Sequence, residues 1–152
     1  MNILIIFGAK YLYLVSIIIA GYYFFKQPRA TKKRIIIFGI ISLPIMYAVA
    51  KIAGHFYYDA RPFVVLNFTP LIPHADDNGF PSDHTLLLSA IASVIYPFSK
   101  KVSILLWVIA LAVGFARVFA GVHHLTDILG SVAIVMVVSM TVNWLLKKRV
   151  IV

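Results

Sequence analysis

Five long apolar stretches alternate with polar connections along the chain: Ile3–Phe25, Ile35–Ala53, Thr85–Phe98, Val102–Ala120 and Leu125–Leu146. None alternates residue by residue, and backbone groups in lipid must be paired within their own segment, so the pattern predicts helices rather than strands. Most approach the roughly 20 residues that a bilayer crossing requires. The expected fold class is all-α, an integral membrane helical bundle with about five transmembrane helices. Lys10 is the one basic residue inside the first stretch. It either snorkels outward or marks a segment of ten residues lying along the interface. Met1 is followed by neither a cationic flank nor a small-residue cleavage site, which reads as a first span rather than a removed signal peptide.

The polar connections are unlike one another. Lys26, Arg29, Lys32, Lys33, Arg34, Lys100, Lys101, Lys147, Lys148 and Arg149 all fall on one side if the five helices alternate. The positive-inside rule makes that side cytoplasmic, with the C-terminus inside and the N-terminus outside. The acidic residues Asp59, Asp76, Asp77, Asp83 and Asp127, and all the histidines, fall on the other side.

Composition agrees with a lipid solvent. Hydrophobic residues make up 62% of the chain and charged residues 12%, far from the water-soluble norm of about 45–50% and about 25%. The 152 residues therefore read as a single membrane-embedded domain, with active-site motifs within residues 51–131. With no cysteine, disulfide frameworks and zinc–thiolate sites are excluded. The net charge of +9 becomes a topology signal and an attraction to anionic headgroups of the inner leaflet, and no nucleic-acid partner is expected.

Lys10, Lys51, Arg61 and Arg117 are the basic residues left over. A charge at membrane depth costs about 2.5–3.5 kcal/mol on insertion scales, so such residues default to a functional hypothesis. His84 is sixteen residues from Lys100 and Arg117 sixteen from Lys101, about 24 Å at 1.5 Å per residue. Both then lie a little below the outer surface, at the depth of a lipid headgroup's first phosphate. The outer segment from Gly54 to Asp83 ends in Phe80-Pro81-Ser82-Asp83-His84-Thr85, a helix start whose free N–H groups and dipole suit an anion. His123 and Asp127 are four apart at the start of the last helix and so share a face. A carboxylate on one imidazole nitrogen fixes the tautomer and leaves the other nitrogen as nucleophile or base. Arg61, Arg117 and Lys51 supply cations, and arginine forks match phosphate oxygens.

This set can carry out phosphoryl transfer without a metal or other cofactor, because that chemistry needs mainly positioning and charge neutralisation. His123 attacks phosphorus to give a phosphohistidine, and His84 protonates the leaving lipid oxygen. Water then attacks with His84 as base, while Asp127 holds His123.

Arg61-Pro62, Pro81-Ser82-Asp83-His84, and Arg117 with His123 and Asp127 together resemble the signature of the type 2 phosphatidic acid phosphatase superfamily. The resemblance implies a helical bundle with an outward-facing site. It implies His123 as nucleophile, Asp127 as its partner, His84 as acid, and Arg61, Ser82 and Arg117 as phosphate ligands. The stretch from Arg61 through Leu71-Ile72-Pro73-His74-Ala75-Asp76 to Thr85 is similar to the bacitracin-resistance type of undecaprenyl-diphosphate phosphatase, which also carries aspartate at the position of Asp83. That likeness implies a bacterial plasma-membrane enzyme recycling the lipid carrier of cell-wall synthesis. Its partners are then a polyprenyl or phospholipid phosphate and the bilayer, with no obligate protein partner. The chain departs from the pattern at three places. The family lysine would stand at Gly54, whereas Lys51 lies one helical turn earlier; Ala116 replaces a serine before Arg117; His124 stands where tyrosine is common.

His55, His74 and His124 read as loop or interface residues, His124 also as a secondary ligand, and Asp76 and Asp77 as solvated loop charges or turn formers. Asp83 reads as a helix cap as much as a specificity residue. Three other functions compete: a phosphatase for phosphatidylglycerophosphate or phosphatidic acid, a histidine–aspartate site for a divalent metal, and an ion path in a small transporter or assembly subunit.

Overall fold

The computed structural model describes residues 2–148, so Arg149 of the basic tail lies outside the described residues. The elements are α1 (Asn2–Lys10), α2 (Leu12–Lys26), α3 (Arg29–Phe56), α4 (Pro62–Val65), α5 (Asp83–Ile95), α6 (Lys100–Phe119) and α7 (Leu125–Lys148). Among the described residues the fold is all-helical, with one isolated bridge between Ala60 and Asn78.

All five expected stretches are helical, though not all as unbroken spans. Three helices, α3, α6 and the Leu125–Leu146 part of α7, are long and apolar enough to cross a bilayer. The first apolar stretch is broken at Tyr11 into α1 and α2, bent by 44°, and counts as a fourth span only if the pair is taken together. α5 has 13 residues and stops at Ile95 instead of Phe98. Tyr96 keeps helical backbone angles, but Pro97 has no N–H to continue the ladder; Ser99 then caps α6 by accepting from Val102 N–H at 3.3 Å. The Arg29–Arg34 run, expected in a connection, forms the first turns of α3.

Protein surrounds most of α5. It packs on α2, α3, α6 and α7 and buries Leu86, Leu88, Ala90, Ala92, Val94 and Ile95 with Thr85, Ser89 and Ser93. Small residues let neighbouring helices approach closely, and polar ones tie them: Ser103 donates to the Ala92 carbonyl at 2.8 Å. Outside this core, Ile36 and Ile40 on α3, Ile104, Val108 and Phe115 on α6, and Val137, Met140 and Trp144 on α7 are exposed. So much apolar surface on three long helices is covered stably only by acyl chains. The chain reads as a multi-pass membrane protein.

The bundle has two chemically distinct ends. At one, Arg34 lies 6.0 Å over the Phe98 ring, joining the start of α3 to the α5–α6 connection that leads into Lys100 at the start of α6. At the other, the long segment after α3 folds over the ends of α6 and α7. Its Leu71 N–H donates to Ala120 O at 3.0 Å, and Phe68 packs on Gly121, whose φ of +80° suits the turn between those helices.

Candidate active site

Asn78 organises the segment between α3 and α5. Its side-chain oxygen accepts from the N–H of Asp59 and Phe80, and its amide donates to the carbonyls of Gly54 and Tyr57, so both lone pairs and both amide hydrogens are used. The Phe80-Pro81-Ser82 turn is thereby fixed to the end of α3. From the other side, Ser131 Oγ donates to the carbonyls of Ser82 and Asp127, both at 2.9 Å, and Ser82 N–H donates to Asp127 O at 3.2 Å. The start of α5 and the start of α7 are thus cross-linked through their backbones.

His123 sits in the turn before α7, 3% exposed. Its Nδ1 is 3.0 Å from Asp127 Oδ2, and its Nε2 is 3.4 Å from Arg61 Nη1. Asp127 Oδ2 accepts and Arg61 only donates, so we assign the proton to Nδ1 and leave a lone pair on Nε2. Asp127 Oδ2 also accepts the His124 N–H at 2.9 Å, which locks the carboxylate to the turn it serves. Burial pushes the His123 pKa below its ordinary 6.5, and the hydrogen bond to Asp127 offsets this only in part.

Arg61 is buried and forked. Nη1 donates to Val122 O at 2.8 Å, Nη2 to Asn78 O at 3.4 Å, and Nε to Asp77 Oδ1 at 2.7 Å. Asp77 is thus an exposed loop charge, as read from the sequence, but one paired with Arg61. Arg117 is also buried. Its Nη1 donates to Ala9 O at 3.3 Å, but its Nε is buried without a hydrogen-bond partner. The break at Tyr11 belongs to this arrangement, since the last turn of α1 turns a carbonyl toward Arg117.

Ser82 is the N-cap of α5, fully buried, and its side chain makes no capping hydrogen bond; its Oγ accepts from Thr85 Oγ1 at 3.3 Å. Asp83 is the exposed first residue of the helix, not its cap. His84 is half-buried, with its ring edge-on to Tyr13 at 5.7 Å. Arg117, His123, Asp83 and His74 are its electrostatic neighbours.

Lys51 is exposed on α3, with Nζ 5.2 Å from the Tyr47 ring. It lines a cavity of about 360 Å³ together with Arg61, His74 and Asp83. At Gly54, the Phe80 carbonyl would lie 2.8 Å from a Cβ. The close turn excludes a lysine there, and Lys51 reaches the same space from one turn below.

Sequence reasoning missed Asn78, Tyr13, Ala9 and Asp59. Asp59 Oδ1 stands 3.0 Å from His124 Nδ1, and its Oδ2 accepts from Thr126 Oγ1 at 2.9 Å. Potential ligand atoms of Asp59, His124 and Asp127 lie within 4.8 Å of one another, which makes these three the residues that could hold a metal. Only the run of outer acidic residues hinted at Asp59. Nothing in the sequence marks a carbonyl such as that of Ala9.

Residues 32–151 match the PAP2 superfamily. The chain belongs to that superfamily. It is 34% identical over 134 residues to the "Bacitracin transport permease protein BcrC" of Bacillus licheniformis, covering 87% of this chain and 66% of the relative. It is 36% identical over 100 residues to "Undecaprenyl-diphosphatase BcrC" of Bacillus subtilis strain 168, covering 66% of this chain and 50% of the relative. It is also 32% identical over 128 residues to "Phosphatidylglycerophosphatase B" of the same organism, covering 77% of this chain and 58% of the relative. The PAP2 chain described here thus spans between about half and two thirds of the length of these relatives. No solved structure matches it significantly.

Proposed function

We propose that this PAP2 chain is a membrane lipid phosphatase that hydrolyses undecaprenyl diphosphate to the monophosphate and phosphate. The observation that carries this reading is the buried His123, held at Nδ1 by Asp127 and with Nε2 turned to Arg61. Such an imidazole is neutral, oriented and faced by a cation where phosphate oxygens would gather charge. His123 Nε2 forms a bond to phosphorus as the bond to the bridging oxygen breaks. Arg61, Arg117 and the uncapped turn at Ser82 neutralise the equatorial oxygens, and His84 delivers a proton to the departing oxygen. Water, deprotonated by His84, then breaks the P–N bond and frees phosphate. Lys51 and Asp83 act at the rim in substrate choice. No step is assigned to a metal or other cofactor, and the motifs within residues 51–131 work as one membrane-embedded domain.

The choice of a polyprenyl diphosphate rests on the names of the two BcrC relatives. The phosphatidylglycerophosphatase relative makes a phospholipid monophosphate the second reading. The basic ends of the helices lie opposite the site, so the positive-inside rule turns the site outward in a bacterial plasma membrane. A protein of this kind needs the bilayer and its lipid substrate but no obligate protein partner.

Phosphate release by the purified protein from a panel of lipid mono- and diphosphates, with chelator present, tests the reading. Fastest turnover is expected on the polyprenyl diphosphate, and loss of turnover in chelator would move the chemistry to Asp59, His124 and Asp127. The same assay against pH reports His123. Its neutral form is the reactive one and its pKa is lowered by burial, so the acid limb of kcat/KM is expected below pH 6.5.

A further inference from the structure

His74 was read as an ordinary loop histidine, yet it lies beside the proposed nucleophile: its ring stands edge-on to that of His123, with centroids 5.9 Å apart. It is half-buried and faces the cavity of about 360 Å³ that Lys51 and Arg61 also line. Its Nδ1 makes one long contact, 3.4 Å to the adjacent Ala75 carbonyl, and its Nε2 makes no hydrogen bond to the described residues. Lys51 has no carboxylate within ion-pair distance among the described residues. Asp77, which lines the same cavity, is already engaged by Arg61 Nε at 2.7 Å. Asp83 on the other wall is exposed, and water and salt screen it. Two donors without strong partners thus face a space adjoining His123, and Arg61 belongs to both places.

We propose that the cavity between His74 and Lys51 is a subsite for the second phosphate of a diphosphate, and that His74 sets the preference for diphosphates over monophosphates. The inference rests on the phosphatase reading and goes beyond it by assigning the second phosphate its own ligands. No bond is made or broken at this subsite. His74 donates through Nε2–H in the tautomer that gives up the long Nδ1 contact to the Ala75 carbonyl, and Lys51 donates through its ammonium, so the lipid monophosphate leaves from a position where its growing negative charge is met by donors.

The test uses the full chain in lipid nanodiscs, as wild type, His74→Ala, His74→Gln and Lys51→Ala. Substrates are a polyprenyl diphosphate and monophosphate with identical tails. His74→Ala is expected to lower kcat/KM at least tenfold for the diphosphate and to leave the monophosphate within about twofold, with Lys51→Ala shifting the ratio in the same direction. His74→Gln, which keeps a donor, should recover part of the loss. Binding is read separately, as the shift in thermal unfolding caused by orthophosphate and by methylenediphosphonate. Wild type is expected to respond to lower concentrations of the diphosphonate than of orthophosphate, and His74→Ala to lose that difference while keeping its response to orthophosphate. Equal losses on both substrates, no loss on either, or an undiminished diphosphonate preference in His74→Ala would each overturn the subsite. Absence of phosphate release by wild type from every lipid tested would instead overturn the phosphatase reading, which the diphosphonate measurement does not depend on.

Discussion

Replacing His123 with alanine is expected to lower kcat by at least about 10³-fold, because the group that would form the covalent bond to phosphorus is gone. Asp127→Asn is expected to come close behind, at about 10²–10⁴-fold. Asp127 is fully buried, and its Oδ2 receives both the His123 Nδ1–H and the His124 N–H. An amide that presents its NH₂ to Nδ1 forces the imidazole proton onto Nε2, where it blocks attack. An amide that presents oxygen keeps the tautomer but loses the negative charge that favours the developing cation. Either way the chemical step suffers more than binding, so kcat falls with little change in KM. Single-turnover phosphate release separates the two. A fall confined to KM in Asp127→Asn would show that the carboxylate helps hold substrate and does not orient the nucleophile.

Arg117→Met is expected to move activity and stability in opposite directions. Arg117 is 3% exposed, its Nη1 donates to Ala9 O at 3.3 Å, and its Nε is buried with no hydrogen-bond partner. A buried charge so incompletely paired is retained at a cost, and an apolar side chain of similar length removes that cost. Melting of the ligand-free variant is therefore expected at or above the wild-type temperature. Its kcat/KM is expected to drop at least about 10²-fold, since a guanidinium aimed at the transition-state oxygens cannot be replaced by a thioether. Orthophosphate should raise the melting temperature of wild type and leave that of Arg117→Met nearly unchanged. A variant that melts earlier yet keeps wild-type turnover would show that Arg117 serves only to hold α1 on α6.

Much of this arrangement is legible in the sequence, and the reason is geometric. His123 and Asp127 are four residues apart where a helix begins, so periodicity alone puts both on one face. Arg117 and His84 stand out because charge and imidazole are conspicuous in apolar helices. Counting from the basic end runs along one helix for Arg117, whereas for His84 it crosses the turn after Ile95. The misses have equally plain causes. No glycine or proline announces the break at Tyr11; it coincides with the tertiary bond from Arg117 to the Ala9 carbonyl, more than a hundred residues away in the chain. α5 was drawn through Pro97 because hydrophobicity continues there, although a proline without an N–H had already marked the boundary. Asn78 looked like one more polar loop residue. Its importance lies in four backbone partners, which composition cannot reveal. Asp77 was read as solvated because a loop carboxylate usually is, and only the fold brings the Arg61 guanidinium to it.

The central claim is that phosphorus is passed through the Nε2 of His123. Rapid quenching of wild type during turnover of a polyprenyl diphosphate labelled in its terminal phosphate, followed by peptide mapping, addresses it directly. The expected product is an acid-labile, alkali-stable phosphoryl group on His123 alone, absent from His123→Ala and longer-lived when His84 is replaced by glutamine. Label on another residue, or full turnover with no label on His123 at any quench time, would contradict the mechanism.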